Sequence, residues 1–576
     1  MKDHLRGLIV RAIEKSAKGG DLRLTDLPPW HLEPPKRKEF GDLASNVALV
    51  WGKQQGKSPR KIAETLLENL EDPEEIIDHA AIAGPGFLNF TFSANFCYRC
   101  LRDVEEGTER VANLGNGQKV QVEFASVNPT GPLHVGHGRV AVIGDALARL
   151  LVETGYDVER EYYVNDVGRQ MENLGLSIFT RYKELFGEKV EFPEEGYPGE
   201  YVKELAERAR EQWGDRFLGE TNDEAVAFLA RFGGDALLAA IRDDLAEFGI
   251  TFDSFFHERD LRERGEVEET IELLRSQGVL YEEEGALWFR TTTFGDDKNR
   301  AIVKGNGDLT YFASDIAYHR NKLRRNYSTL INVWGADHHG YVSRLKASLQ
   351  ALGFEAQRLH VVLVQMVHLT RGGTPLRMGK RQGEFIPLKE VLEEVGSDAA
   401  RFFFLMRKAD SHLDFDLELA KKESAENPVF YVQYAHARIA SIFEQASKKG
   451  IPLDDLKLAE VELERLTLTE ELDIIKRTVQ FTEVIKESVE ELEPHRLTFY
   501  LLELAGEFHR YYNCTRVLSD DLSLTRARLL LARNVQKILR RGLHLLGLDA
   551  PRRMASRSEL DDRQENAQLP EGGSAG

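Results

Sequence analysis

Cysteine is nearly absent from this 576-residue chain, which holds only Cys97, Cys100 and Cys514. Three thiols exclude a disulfide framework. Cys97 and Cys100 form a lone CxxC, and two ligands do not close a four-coordinate zinc site. No zinc is therefore expected, and the thiols read as buried or half-buried side chains. Long apolar runs are missing as well. No stretch reaches the ~18 apolar residues that a bilayer-crossing helix needs, which excludes a transmembrane helix. The N-terminus lacks the apolar block of a secretory signal. Leu5, Leu8, Ile9, Ala12 and Ile13 follow helical spacing between charges, so an amphipathic helix of a cytoplasmic protein is expected there. No repeat recurs at a fixed period. Nor is there an excess of positive charge. A net charge of −19 disfavours a protein that coats nucleic acid indiscriminately, although a specific RNA partner needs only local basic surface.

What is present is a globular composition: 42% hydrophobic and 30% charged residues, enough for buried cores under a solvated surface. At roughly 100–200 residues per domain the length suggests about three to five folding units. Residues 1–110 read as a small α+β unit. Ile62, Leu66, Leu67 and Leu70 keep helical spacing, and 84–92 (GPGFLNFTF) is a turn followed by a strand. After a polar linker, residues 118–410 alternate short apolar runs with helical patterns, the sign of an α/β domain. Strands are expected at 120–124, 330–334 and 361–366. A charged helical insertion at about 172–290 is punctuated by Pro193, Gly196, Pro198 and Gly199. From 411 strand signals vanish. Leu497, Leu501, Leu504 and Phe508 share one helical face, and Leu531, Val535, Ile538 and Leu539 another, so 411–554 should be an all-α bundle. Residues 555–576 are polar and aperiodic and are expected to be disordered.

The strongest chemical signal is the run from Glu123 to Arg139. A strand enters it, Pro129, Gly131 and Pro132 impose a turn, and a helix runs on from about residue 136. Unpaired N–H groups at a helix start attract phosphate. Gly136 would permit close approach, and His134 and His137 could donate hydrogen bonds to phosphate oxygens. A second signal is Arg377-Met-Gly-Lys-Arg-Gln-Gly383, a basic loop preceded by Arg371-Gly-Gly373. Such a loop can neutralise a leaving pyrophosphate. Taken singly, the histidines also suit a core or surface pair, and the loop a solvated turn. Asp337, His338 and His339 follow the strand at 330–334 and so lie at the carboxyl edge of a sheet, where α/β proteins bind ligands. Adjacent histidines seldom chelate a metal; contact with a nucleoside is the preferred reading. Tyr431, Gln433, Tyr434, His436 and Arg438 open the helical region. They suit stacking on RNA bases or, equally, a buried aromatic stripe.

Strand, Pro/Gly loop, HxGH and helix together resemble the nucleotide-binding signature of class I aminoacyl-tRNA synthetases. The run SVNPTGPLHVGHGR, followed by Gly144-Asp145 and by 163–170 (YVNDVGRQ), is similar to bacterial-type arginyl-tRNA synthetases in particular. The basic loop resembles their KMSKS signature, with Arg377 for the first Lys, Gly379 for the Ser, Lys380 for the second Lys and Arg381 for the final Ser. Arg377 keeps charge but not Lys geometry. The likeness spans residues 1–554, with Arg552 where an acid is usual.

This resemblance implies a Rossmann-like catalytic domain between a tRNA-contacting N-terminal domain and an anticodon-binding helical bundle. It implies ATP, entering with Mg²⁺, arginine and tRNA(Arg) as partners, a monomer, and a first step that requires tRNA. Arginine's carboxylate would attack the α-phosphate of ATP, and the 2′-hydroxyl of the terminal adenosine would then take the arginyl group. His134, His137, Lys380 and Arg377 would be catalytic. Gly136, Asp337, Lys380 and Arg381, with both histidines, would hold ATP. Tyr311 and Asp315, four residues apart and so on one helical face, would receive the guanidinium, for which carboxylates are the fitting acceptor. Asn128 and Glu123 would hold the α-amino end. Tyr431, Gln433, Tyr434 and Arg438 would meet tRNA in the bundle, and 39–46 and 84–89 would meet its elbow. Two rivals are a cysteinyl enzyme, which would need a zinc site for its thiol substrate, and a catalytically weak RNA-binding paralogue.

Overall fold

The computed structural model describes residues 1–23, 27–107, 111–219, 222–376, 386–451 and 456–554. Arg377, Lys380 and Arg381, expected in the basic loop, and the tail 555–576 lie outside the described residues. No helix among the described residues is long and apolar enough to cross a membrane.

The N-terminal helix Lys2–Lys18 buries Leu5, Leu8, Ile9, Ala12 and Ile13. It packs with the helices Val47–Gln55 and Pro59–Glu68 over an antiparallel sheet. That sheet holds β1 (Leu32–Glu33), β2 (Leu43–Ser45), β3 (Ile77–Ala83) and β4 (Phe87–Phe92) in the order β1-β2-β4-β3. Cys97 and Cys100 are buried in the adjoining helix Ala94–Glu106 and Cys514 is exposed. Burial pushes the Cys97 thiol up to about 12, which leaves it inert at neutral pH.

The central layer is a parallel sheet of β5 (Lys119–Glu123), β6 (Asp157–Val164), β7 (Ser254–His257), β11 (Thr329–Gly335) and β12 (Leu359–Val364). A separate antiparallel sheet of β8 (Leu280–Glu283), β9 (Ala286–Phe289) and β10 (Arg300–Val303) intervenes in the chain between β7 and β11. The parallel order is β12-β11-β5-β6-β7. The chain therefore runs outward from β5 to β6 and β7, then returns to build β11 and β12 on the other side. The direction switches between β5 and β11, and a crevice opens beyond the carboxyl ends of those two strands. The helix Val135–Glu153 lies directly on β5: a Cβ on Gly144 would sit 2.2 Å from the Phe124 ring.

Three expectations need correction. The inserted helices are Arg169–Leu185, Glu200–Trp213 and Asn222–Glu247. The stretch 172–290 nevertheless also contains β7, a full member of the main sheet, because four residues are too few to show a period. Strands do not stop at 410. β13 (Val367–Arg371) pairs with the short β14 (Thr374–Pro375) and, in parallel, with β15 (Leu413–Asp416). Finally, the strand foreseen at 361–366 ends at Val364, and Met366 is 62% exposed.

The helices Pro428–Lys448, Thr469–Val479, Phe481–Glu490, His495–Cys514 and Leu522–Leu545 follow. They are riveted to the sheet domain by the wholly buried Arg401, which donates to Asp145, to the Phe248 carbonyl at 3.0 Å and to the Leu546 carbonyl at 3.0 and 3.1 Å.

Candidate active site

Beyond β5 the chain kinks. Ala125 takes φ +55°, a left-handed conformation costly for a residue with a Cβ. The Tyr162 hydroxyl on β6 holds the kink by accepting from the Val127 N–H at 3.1 Å and donating to the Val127 carbonyl at 2.8 Å. The loop then delivers His134 as N-cap of the helix Val135–Glu153. His134 Nδ1 accepts from the N–H groups of Gly136 (3.1 Å) and His137 (3.4 Å), and His137 Nδ1 accepts from the N–H of His134 (3.3 Å). This is a reciprocal capping box built from two imidazoles. The rings stack with centroids 3.4 Å apart.

Two chemical consequences follow. Each Nδ1 is an acceptor, so each neutral ring carries its proton on Nε2. Burial lowers both histidines' pKa values, His137 to about 3 with His134 adding to the effect, so both are neutral donors at physiological pH. The expectation about Gly136 also changes. Its N–H is already taken by His134, and a Cβ there would lie 3.0 Å from His134 Cε1. The glycine makes room for an imidazole, and this end of the helix offers an anion the rings in place of the Gly136 and His137 amides.

Across the crevice the helix Tyr311–Arg324 places Tyr311, 55% exposed, one turn before Asp315. The Tyr341 hydroxyl donates to Asp315 Oδ2 at 2.6 Å. Burial, with Glu258 and Glu123 close by, nevertheless pushes the Asp315 carboxyl up to about 7 against that hydrogen bond. Its two acidic neighbours have cations of their own. Glu258 receives Arg262 at 2.7 Å. Glu123, expected at the α-amino end of the ligand, is instead buried and ion-paired with the wholly buried Lys322. Asp315 has no bonded cation among the described residues.

A polar relay fixes the helix from below. Lys322 Nζ donates to Asn332 Oδ1 (3.1 Å), Asn332 Nδ2 donates to His319 Nε2 (2.8 Å), and His319 Nδ1–H donates to the Asp315 carbonyl (2.8 Å). Asn128, at the loop tip, donates to Gln170. Asp337 stands exposed beyond the end of β11 beside His338. Among the described residues no three His, Cys, Asp or Glu side chains converge to hold a metal ion.

Tyr341, Glu258 and Lys322 were not anticipated. Lys322 carries a helical signal, standing seven residues after Asp315 and so on its face. Tyr341 directly follows the GADHHG run. Glu258 follows the unrecognised β7.

The residues expected to meet RNA divide. Tyr431, Tyr434 and Arg438 are half-buried around His509. The Arg438 guanidinium lies 4.7 Å from the Tyr434 ring and 4.8 Å from that of Tyr512, and donates to His509 Nδ1 at 2.9 Å. Gln433 does not belong with them. It is buried, its amide donating to Asp398 (2.6 Å) and to the Asp549 carbonyl (2.9 Å), so it ties the bundle together.

Three family models match in tandem: the arginyl tRNA synthetase N terminal domain over residues 3–92, the tRNA synthetases class I (R) catalytic domain over 104–440, and the DALR anticodon binding domain over 432–554. The arginine–tRNA ligase of Geobacter sp. (strain M21) is 51% identical, covering 96% of this chain and 100% of its own. The chain belongs to the arginyl-tRNA synthetases. The arginine–tRNA ligase of Syntrophotalea carbinolica is 49% identical with the same coverage. The Thermus thermophilus arginyl-tRNA synthetase, at 24% identity, shares the fold with a TM-score of 0.76 over 95% of this chain and 100% of that one. In this arginyl-tRNA synthetase the catalytic-domain match takes in both histidines, Asp315 and Tyr341, and the anticodon-binding match begins one residue after Tyr431.

Proposed function

We propose that this arginyl-tRNA synthetase selects its amino acid with Asp315 and activates it across the β5–β11 crevice. The observation that carries the reading is the half-buried carboxylate of Asp315, surrounded by paired acids and, among the described residues, lacking a cation of its own. A guanidinium supplies that charge and matches a carboxylate geometrically. Tyr311 covers it from the same helical face, and Asn128 with Glu123 holds the α-amino end, Glu123 through the side of its carboxylate not engaged by Lys322.

ATP, with its Mg²⁺, enters as substrate beside the capped helix. An oxygen of arginine's carboxylate attacks the α-phosphorus, the bond to the β,γ-phosphates breaks, and pyrophosphate leaves. The Nε2–H groups of His134 and His137 meet charge developing on the phosphates, with the adenosine toward Asp337. Arg377, Lys380 and Arg381 keep the charge-neutralising role read from the sequence. The 2′-hydroxyl of the terminal adenosine then attacks the activated carbonyl and AMP departs. No protein nucleophile is required; proximity and fixed donors suffice. The chain works as a cytoplasmic monomer of three units: 1–110, a sheet unit that starts at 118 and runs past 410 to take in β15, and the helices that follow to 554. Tyr431, Tyr434 and Arg438 contact tRNA(Arg) in the last unit, and the exposed Phe40 and Phe87 mark the elbow-contacting face of the first.

Arginine-dependent exchange of pyrophosphate into ATP tests this, with and without tRNA(Arg) and with other amino acids alongside. Exchange with arginine alone among the amino acids is expected. Equal exchange with lysine would remove the role assigned to Asp315. No exchange by folded, tRNA-binding protein would favour the RNA-binding paralogue.

A further inference from the structure

The arginine two residues beyond His137 is used in an unusual way. Arg139 is fully buried and, among the described residues, pairs with no carboxylate. Its guanidinium donates to three main-chain carbonyls: Gln365 (2.8 Å), Ser411 (2.8 Å) and Lys408 (3.0 Å). All three belong to one place in the fold. Gln365 lies in the turn between β12 and β13, and Lys408 and Ser411 lie in the turn that enters β15. These turns also bond to each other, Gln365 N–H donating to the Ala409 carbonyl at 2.8 Å. The guanidinium thus plugs the root of the β13–β15 pair and fixes it to the helix that starts with the two histidines. On the other side of His134, the N–H of Leu388 donates to the Leu133 carbonyl at 2.8 Å, and Pro387 bridges to His134 itself. The imidazole pair is therefore clamped between two attachments, one at Leu133–His134 and one at Arg139.

We propose that Arg139 is a positioning residue for adenylate formation, setting where the histidine pair sits relative to the turn that follows β12, the strand next to β11. The proposal rests on the reading that His134 and His137 meet the phosphates of ATP. Being wholly buried, Arg139 does not touch substrate. It acts through where it holds the rings. Hydrogen-bond stabilisation of developing charge tolerates little displacement; ~1 Å costs about a hundredfold in rate. Charge alone does not explain the choice of residue. The two terminal nitrogens of a rigid guanidinium reach three carbonyls at separate points, its Nε having no partner among the described residues, and a lysine ammonium, a single nitrogen on a flexible stem, cannot span them.

Arg401 is the internal control. It is equally buried, lies against the same helix through Asp145, and also donates to main-chain carbonyls, but at Phe248 and Leu546, away from the histidines. Replacing either arginine by lysine loosens a buried site. Only one of the two changes the crevice.

The experiment compares Arg139→Lys with Arg401→Lys by pyrophosphate exchange at saturating tRNA, measuring kcat and the KM values for ATP and arginine, with thermal melting of both variants. Arg139→Lys is expected to raise the KM for ATP or lower kcat by about tenfold while the KM for arginine stays within twofold. Arg401→Lys is expected to melt at lower temperature with kinetic constants near those of the parent. If Arg139→Lys does not fold, Arg139→Gln, whose amide keeps two donors, carries the same comparison. Unchanged ATP kinetics in the folded variant, or parallel loss for ATP and arginine in both variants, would overturn the proposal. The underlying reading is tested separately by His134→Asn: full exchange activity with unchanged KM for ATP there would remove the histidines' role whatever Arg139 does.

Discussion

Asp315 should make arginine capture depend on pH, and the size of the effect follows from its surroundings. Its carboxyl titrates at about 7 because burial and the neighbouring Glu258 and Glu123 oppose ionisation more than the Tyr341 hydroxyl favours it. Only the carboxylate binds a guanidinium strongly, so the free enzyme must lose a proton to accept arginine. With one site titrating near 7, competition from that proton weakens apparent affinity about elevenfold at pH 6, about twofold at pH 7 and hardly at pH 8. The KM for arginine should fall about tenfold between pH 6 and pH 8, with the KM for ATP much flatter. Binding should release about 0.9 proton at pH 6 and about 0.1 at pH 8. Calorimetric titrations in two buffers of different ionisation enthalpy measure that release directly.

The same shift has a stability sign. An acid whose pKa is raised by folding contributes stability that is complete below its unfolded value, about 4, and is lost as pH rises through 7. Arginine restores what is lost, so its effect on the melting temperature should be larger at pH 8 than at pH 6. Asp315→Asn should abolish the proton release and bind arginine poorly at every pH. A flat arginine KM from pH 6 to 8 with no proton exchanged, or tight binding by Asp315→Asn, would refute the reasoning.

Four further outcomes are expected. Lys322→Met leaves Glu123 buried without its cation, which should destabilise the fold by about 3–5 kcal/mol in urea unfolding; a change under 1 kcal/mol would mean the pair contributes little. Gly136→Ala puts a methyl 3.0 Å from the His134 ring and should displace it, lowering pyrophosphate exchange at least about tenfold with little loss of melting temperature; wild-type exchange would show that the imidazole capping is dispensable. Tyr434→Ala should raise the aminoacylation KM for tRNA by about fivefold or more, the value of about 1 kcal/mol of base stacking, while leaving tRNA-independent arginine binding unchanged. Gln433→Leu should instead lower stability, since the buried amide's hydrogen bonds to Asp398 and to the Asp549 carbonyl are lost.

The contrast between those last two residues shows what the sequence could and could not reveal. Tyr431, Gln433, Tyr434 and Arg438 form one run of types suited to RNA, but which of them faces inward depends on the neighbouring Asp398 and Asp549, remote in sequence. The Pro/Gly loop and the i, i+3 histidines were legible because turn chemistry and helix starts are local. Their mutual capping was not, since it turns on a ring rotamer admitted by one missing Cβ. β7 and β15 escaped notice because four-residue strands carry no period, and missing β7 hid Glu258. Lys322 was overlooked for a different reason: a lysine is read as solvated until its buried partner, here Glu123 on a distant strand, is known.

Arg401 makes the three tandem family matches poor guides to where the chain could be cut. A fragment that stops at residue 440, where the catalytic match ends, retains this guanidinium and Asp145 but discards the Leu546 carbonyl, which accepts from two of its nitrogens. The catalytic part would then keep a buried cation short of acceptors beside the middle of its own signature helix. The units are thus interdependent in structure, and the carbonyl that caps the last described helix serves as an internal part of the catalytic domain.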